Sequence, residues 1–191
     1  MSKPLEVDIF IPCFIDQVYP ETGFNMIKVL EKAGVKINYN PNQTCCGQIA
    51  FNGGFWDDAK KLGEKFIKDF DNGRMIVGPS ASCIGYIRNG FDELFYNGAY
   101  HNEYKQLQRS VFEITDFLVN VVKVTDLGSV FEHKVTFQDS CAALREYKLG
   151  NEPRTLLKNV SGLELVEMEN CDECCGFGGT FAIKFEPIST A

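Results

Sequence analysis

The sequence predicts an α/β protein with mostly parallel sheets, organised as two similar lobes of which the second is incomplete. Three observations predict this fold class. Short apolar runs typical of buried strands alternate with stretches whose apolar residues recur at helical spacing. Cysteines follow several of the predicted strands at their carboxyl ends. The run Cys45-Cys46-Gly47 also recurs as Cys174-Cys175-Gly176, which indicates an internal duplication.

An outlying cysteine precedes each of these pairs at nearly the same distance. Cys13 lies 32 residues before Cys45, and Cys141 lies 33 residues before Cys174. Another cysteine, Cys83, follows the first pair by 37 residues, and its counterpart in the second copy would fall beyond the end of the chain. We therefore expect the second copy to be truncated.

Length and composition limit the classes of protein that the chain can belong to. With 191 residues, 45% of them hydrophobic, the chain can bury a core without the help of disulfides. No signal-peptide pattern begins it, and no apolar run approaches the ~18 residues of a membrane span, so we expect a cytoplasmic, reducing location. There the eight cysteines favour metal binding or reactive thiols. The net charge of −7 argues against a nucleic-acid partner.

The first lobe begins with a strand, a helix and a second strand. The apolar residues 7–11 predict a buried strand that delivers Cys13 into a loop. Pro20 predicts the start of a helix, which Gly34 ends, and residues 35–39 predict the next strand. Elements of these lengths predict a parallel βαβ unit with cysteines where its strands end.

A long helix and a third strand continue the first lobe. Apolar residues at helical spacing predict a helix over Trp56–Phe70, and residues 75–77 predict the next buried strand. The turn at residues 78–82 leads to Cys83, which we place at a helix N-terminus capped by a serine. The apolar spacing over residues 102–123 predicts one or two helices that close the lobe.

The second copy repeats the scheme after a joint at residues 126–129. Residues 135–137 predict a strand before Cys141, and helical stretches follow around Tyr147 and Leu156. Residues 163–168 predict another strand, directly before the second cysteine pair. We therefore expect two pseudo-symmetric, Rossmann-like lobes, one over residues 1–125 and the other, incomplete, over residues 126–191.

Neither vicinal cysteine pair should close on itself. Consecutive Cα atoms lie ~3.8 Å apart, whereas a disulfide normally needs at least ~4.4 Å. Four thiolates from three strand ends can instead surround one metal centre; these are Cys13, Cys45, Cys46 and Cys83. An iron–sulfur cluster suits such soft ligands. Gly47 permits the tight turn that directs both neighbouring thiols inward.

Other interpretations of the cysteines remain open. Four thiolates also make structural zinc sites, but those usually use Cys-x-x-Cys pairs, which the first copy lacks. Cys171 and Cys174 have that spacing, although Asn42 stands where Cys171 would have its counterpart. A zinc-stapled or metal-free interaction module is therefore the alternative from another class. Charged residues near cysteines could tune a centre or meet a carboxylate substrate, although helix capping and solvated charge explain most of them; these are Asp16, Arg88, Asp139 and Arg145.

Four segments carry a resemblance to known proteins. They are IPCFIDQVYP at residues 11–20, QTCCGQ at 43–48, PSASC at 79–83 and DECCGFGGTF at 172–181. With the cysteine spacing, they resemble the CCG cysteine-rich domain family, to which a subunit of heterodisulfide reductase belongs. The sequence is most similar to the iron–sulfur subunits of L-lactate utilisation complexes, which are related to the glycolate oxidase iron–sulfur subunit.

The resemblance implies a cytoplasmic 4Fe-4S electron-transfer subunit that works with sibling subunits to oxidise L-lactate to pyruvate. It implies two ligand sets: Cys13, Cys45, Cys46 and Cys83 for one cluster, and Cys141, Cys174 and Cys175 for part of a second. Such a cluster can be absent from protein prepared in air. Glycolate oxidation and heterodisulfide reduction are the alternatives within this class. Tyr86 stands where the heterodisulfide reductase motif has its last cysteine, so the resemblance does not extend to a fifth ligand.

Overall fold

The computed structural model describes residues 4–191 and contains a parallel sheet of four short strands. The strands are β1 (Glu6–Ile9), β2 (Lys36–Tyr39), β3 (Met75–Gly78) and β4 (Val111–Glu113). Their order is β2-β1-β3-β4, and every neighbouring pair is parallel. The predicted α/β class with parallel strands is therefore confirmed.

Helices connect successive strands. The connection from β1 to β2 contains α1 (Cys13–Val18) and α2 (Pro20–Lys32), and that from β2 to β3 contains α3 (Gln48–Asn52) and α4 (Trp56–Phe70). Between β3 and β4 the chain forms α5 (Ala81–Gly85), a π-helical turn (Tyr86–Gly90), α6 (Phe91–Phe95) and α7 (His101–Gln108). After β4 come α8 (Ile114–Asp116) and a second π-helical turn (Phe117–Val122). Within residues 4–191, no helix is both long and apolar enough to cross a bilayer.

Two groups of buried side chains form the core. One lies between β1 and α2 and includes Val7, Ile9 and Leu30. The other is mainly aromatic, and its members include Phe10, Phe66, Tyr86, Phe91 and the thiol side chain of Cys46. The rings of Phe10 and Phe66 meet edge to face, with centroids 5.0 Å apart. Cys45 and Cys83 pack against this second group, so the aromatic core supports the cysteines directly.

One buried charged residue lies within β1. Asp8 of β1 is 1% exposed, and its carboxylate accepts three hydrogen bonds. Asn38 and Asn72 each donate at 2.6 Å, and the Arg74 guanidinium donates at 2.8 Å. A buried carboxylate is tolerated only when such donors satisfy it, so Asp8 ties β1 to β2 and to the chain just before β3.

The prediction for residues 102–123 was wrong in one respect. We expected only helices there, but strand β4 separates α7 from α8. A strand of three residues is too short to show alternation, and Leu107, Val111 and Leu118 also fit helical spacing. Pairing with β3 decides the conformation, because Ile76 lies opposite Val111 in the sheet.

The chain after residue 126 contains a second, smaller parallel sheet. Its strands are β5 (Lys134–Val135) and β6 (Glu164–Leu165), and its helices are α9 (Glu152–Leu157), α10 (Thr180–Lys184) and α11 (Glu186–Ser189). A third π-helical turn, Ala142–Tyr147, follows Cys141. Lys134 of β5 pairs with Glu164 of β6, and Glu6 of β1 pairs with Lys36 of β2. The partners are 30 residues apart in both pairs, but the acidic residue comes first in one pair and second in the other. The boundary between residues 125 and 126 stays a prediction.

Tyr147 links the two parts of the chain. Its hydroxyl donates to the Asp116 carboxylate at 2.5 Å, and it accepts from Arg88 at 2.7 Å and from the backbone N–H of Glu113 at 3.0 Å. Gly85 allows this close approach, because a Cβ there would lie 3.0 Å from the backbone nitrogen of Tyr147. Residues after 140 therefore pack directly on the helix that carries Cys83.

We expect Tyr147→Phe to reduce the free energy of unfolding by about 1–3 kcal/mol, because buried donors and an acceptor lose their shared partner. Urea denaturation measures the loss. Tyr96→Phe is the matched control, since Tyr96 is 72% exposed and its change should stay within about 0.5 kcal/mol. Equal effects of the two substitutions would show that the Tyr147 hydroxyl does not hold the two parts together.

Candidate metal centre

Three neighbouring strands deliver the first set of cysteines to one edge of the sheet. Cys13 is the first residue of α1, four residues after the end of β1. Cys45 and Cys46 lie in the loop between β2 and α3, and Cys83 lies in α5 after β3. Because β2, β1 and β3 are parallel neighbours, their carboxyl ends meet at the same edge, where open α/β sheets bind ligands.

The four thiols lie together at this edge. The Cys13 Sγ atom donates to the Cys45 Sγ atom at 3.4 Å. Cys46, which is 2% exposed, belongs to the aromatic core, and Cys45 and Cys83 pack against the same core. The structure therefore brings together all four residues that the sequence assigned to the first site. Their role as metal ligands stays a prediction.

Hydrogen bonds divide the four thiols into donors and acceptors. The Cys46 thiol, the backbone N–H of Gly47 and the Cys13 thiol all donate to Cys45 and lower its pKa to about 5, against the opposing effect of burial. Burial raises the pKa of Cys13 to about 11, with donation to Cys45 as a further cause. Cys45 is therefore the thiolate of this pair, and Cys13 keeps its proton.

The same division holds for the other two thiols. The neighbouring thiols of Cys45 and Cys83, together with burial, raise the pKa of Cys46 well above its usual range. The Cys46 thiol and the hydroxyls of Ser80 and Ser82 lower the pKa of Cys83. The predicted serine cap was wrong in detail: Ser80 precedes α5, but its side chain forms no cap bond and lies 3.1 Å from the Ser82 hydroxyl.

This donor set fits a soft metal. All four side chains are thiols, the pKa values of Cys45 and Cys83 are lowered, and a metal would displace the remaining thiol protons on binding. Within residues 4–191, no three thiol, imidazole or carboxylate groups converge on the position of a single ion. The Cys13–Cys45 distance of 3.4 Å is also shorter than the ~3.8 Å between sulfurs of a tetrahedral zinc site with ~2.3 Å bonds. The Cys13 thiol proton, donated to Cys45, holds this pair at the observed distance.

The second set of cysteines repeats only the local turn of the first. The Gly176 N–H donates to the Cys174 Sγ atom at 3.4 Å, the same length as the bond from Gly47 to Cys45. Cys174 and Cys175 are exposed, however, whereas Cys141 is partly buried beside the π-helical turn that it precedes. In the described part of the chain these three thiols are not gathered around one point. Their assignment to a partial second cluster stays a prediction.

Comparison with known families identifies the cysteine pattern of the sequence. The sequence profile of the cysteine-rich domain family, CCG, matches residues 7–88 and 135–191. The chain belongs to the cysteine-rich domain family. The two matched segments begin 128 residues apart, which is the distance between Cys13 and Cys141. The resemblance inferred from the motifs is therefore confirmed.

Three similar proteins carry lactate utilization in their names. Lactate utilization protein A of Oceanobacillus iheyensis is 39% identical over 97% of this chain and 76% of its own length. Lactate utilization protein A 2 of Bacillus cereus is 37% identical, and Lactate utilization protein A 1 of Bacillus anthracis is 36% identical. For both, the similarity covers 97% of this chain and 77% of the relative. The chain is thus similar over nearly all its length to proteins that share one name.

Gly47 has the geometry that the cysteine-rich turn requires. Its φ of +90° lies in the left-handed region. A Cβ at this position would lie 3.2 Å from the Ala59 carbonyl oxygen and 3.3 Å from the Leu62 Cβ atom, both in α4. Glycine thus lets the loop turn sharply and also lets it lie directly on α4. This keeps the two neighbouring thiols at the sheet edge.

Sequence reasoning missed the surroundings of Cys171. Its thiol donates to the Asp139 carboxylate at 3.4 Å, and Arg154 donates to both oxygens of that carboxylate at 2.8 and 2.7 Å. The first copy has Asn42 in the corresponding place, so the duplication gave no signal. Asp139 and Arg88 were candidates for tuning a centre; the structure pairs Asp139 with Arg154 and places Arg88 against Tyr147.

We expect Gly47→Ala to destabilise the metal-free protein more than Gly54→Ala. Both glycines have φ near +90°, which costs an alanine about 1–2 kcal/mol. No atom lies within 4 Å of a Cβ at Gly54, whereas one at Gly47 would press on α4. Urea denaturation of both variants isolates this contact, and equal losses of unfolding free energy would contradict it.

Proposed function

We propose that this chain is an iron–sulfur electron-transfer subunit of a system that oxidises L-lactate to pyruvate. One observation carries the proposal: four thiols from three neighbouring strand ends lie together at one edge of the sheet. The names of the similar proteins connect this centre with lactate utilization.

The first site would hold a 4Fe-4S cluster through Cys13, Cys45, Cys46 and Cys83. A cluster of this kind supplies one-electron chemistry when it is bound. The pKa values of Cys45 and Cys83 are lowered toward the deprotonated form that iron requires, and Cys13 and Cys46 would lose their protons on binding. The backbone N–H of Gly47 already donates to the Cys45 sulfur, and such a bond stabilises negative charge on a ligand.

Substrate oxidation would take place on another subunit. The sequence contains no flavin or nicotinamide motif, so we assign this chain the transfer of electrons that lactate oxidation releases. Cys141, Cys174 and Cys175 would provide part of a second cluster. All eight cysteines are free thiols in the structure, which suits a reducing compartment, and we therefore place the protein in the cytoplasm.

We expect anaerobic reconstitution to load the wild-type chain with about four iron and four sulfide ions at the first site. Cys46→Ser and Cys83→Ser should each lose most of this iron, because each removes a thiol from the group. Cys171→Ser is the matched control, since Cys171 bonds to Asp139 outside the group, and it should keep the wild-type content. For this measurement, every compared protein also carries serine in place of Cys141, Cys174 and Cys175, so that iron at the second site does not contribute.

Elemental analysis and acid-labile sulfide decide the result. Stoichiometric zinc without sulfide in the wild-type protein would overturn the proposal in favour of the zinc-stapled module. Protein with neither metal nor sulfide after anaerobic reconstitution would favour the metal-free interaction module.

We also expect the Cys46→Ser allele, placed in the source organism, to abolish growth on L-lactate and to leave growth on pyruvate unchanged. The growth rate on each carbon source is the measurement, and the Cys171→Ser allele is again the control. Normal growth of the Cys46→Ser strain on L-lactate together with failure on glycolate would move the assignment to glycolate oxidation. Normal growth on both would contradict a role in either pathway.

A further inference from the structure

Tyr86 lies directly behind the first set of cysteines. It is the first residue of the π-helical turn that continues α5, three residues after Cys83. Its ring packs among aromatic neighbours: it meets Phe91 edge to face at a centroid distance of 5.3 Å and Phe51 at 5.4 Å. Only 5% of the residue is exposed, and it belongs to the same buried group as Cys46.

The hydroxyl of Tyr86 has no hydrogen-bond partner among residues 4–191. Among these residues, no other fully buried side-chain nitrogen or oxygen lacks a partner. The other buried tyrosines differ from it. Tyr104 donates to the Arg88 carbonyl at 2.8 Å, and Tyr147 donates to Asp116. A buried hydroxyl without a partner costs free energy, so its presence in an aromatic core points to a partner that the polypeptide does not provide.

The packing of the core places Tyr86 beside the thiol group. Cys46 and Tyr86 belong to one buried group, and Cys45 and Cys83 pack against it. Burial raises the pKa of Tyr86, so the phenol keeps its proton. A protonated phenol can donate one hydrogen bond, and sulfur atoms that carry negative charge accept such bonds.

The backbone holds the ring in this position. A Cβ at Gly90 would lie 2.5 Å from Cδ2 and 2.9 Å from Cε2 of Tyr86, so the ring uses space that only glycine leaves free. Gly90 ends the π-helical turn that Tyr86 begins, and π-helical turns are often found at functional sites. The turn and Phe91 together leave the hydroxyl fixed rather than free to reach solvent.

We propose that the Tyr86 hydroxyl donates a hydrogen bond to a sulfur of the cluster held by Cys13, Cys45, Cys46 and Cys83, and thereby raises its reduction potential. The inference rests on the proposed function. Reduction adds negative charge to the cluster sulfurs, and a fixed donor stabilises the reduced state more than the oxidised one. Tyr86 is thus a positioning and tuning residue, and the ligands remain the four cysteines.

The test compares Tyr86→Phe with Tyr104→Phe in the full chain. Both substitutions remove one hydroxyl from the same aromatic core, but the Tyr104 hydroxyl bonds to the Arg88 carbonyl. Each protein is reconstituted anaerobically and titrated with reductant while its electron paramagnetic resonance is recorded. The signal of the first site is the one that Cys46→Ser removes. We expect a lower reduction potential for Tyr86→Phe and the wild-type potential for Tyr104→Phe.

Two further readouts separate tuning from a structural role. In the metal-free protein, Tyr86→Phe should leave the urea midpoint unchanged or raise it, because the lost hydroxyl had no partner, whereas Tyr104→Phe should lower it. In the loaded protein exchanged into D2O, electron–nuclear double resonance should detect deuterons coupled to the cluster, and Tyr86→Phe should remove one of these couplings while that of the Gly47 N–H remains.

The outcomes that overturn the inference are distinct from those that overturn the proposed function. If wild type and Tyr86→Phe both bind iron and sulfide but share one potential and one deuteron coupling, the role of Tyr86 is wrong and the proposed function stands. A lower urea midpoint for metal-free Tyr86→Phe would show that the hydroxyl has a structural partner. If wild type binds no iron with sulfide, the proposed function fails, and the inference fails with it.

Discussion

The parallel pairing of β1 with both β2 and β3 is the constraint on which the candidate metal centre depends. Parallel neighbours end at the same edge of a sheet, so three loops that are distant in the sequence begin side by side. Each of these loops carries one element of the cysteine pattern. The hydrogen bonds to Asp8 from Asn38, Asn72 and Arg74 reinforce this pairing from within the sheet.

The centre combines a polar group with an apolar support. Aromatic side chains fill the space behind the thiols, and Cys46 is itself a member of that core. Burial penalises charge, whereas hydrogen bonds from neighbouring groups lower the pKa values of Cys45 and Cys83. The same core contains the Tyr86 hydroxyl, which finds no partner in residues 4–191. The proposed iron–sulfur centre would account for two features of this core: the grouped thiols, which would bind it, and the Tyr86 hydroxyl, which would find an acceptor in it.

Much of the fold could be predicted from local patterns. The helix Trp56–Phe70 has the predicted bounds, since fifteen residues with a regular apolar face leave little ambiguity. The strands before Cys13 and Cys83 were located within two residues. Strand β4 was missed because its three residues carry no alternation and take their conformation from the neighbouring strand. The charge exchange between the Glu6–Lys36 and Lys134–Glu164 pairs is visible in the sequence only once the register is known.

The sequence by itself determined which reactive groups the chain has and how they recur: thiols after strand ends, vicinal pairs that do not close into disulfides, and a duplicated pattern that the family match bears out. The tertiary structure decided which groups satisfy one another. It linked the four early thiols, paired Cys171 with Asp139, set Tyr147 against Asp116 and gave the Tyr86 hydroxyl no partner among the described residues. The physical reason is that hydrogen bonds between residues far apart in the chain require distances and angles that only packing defines.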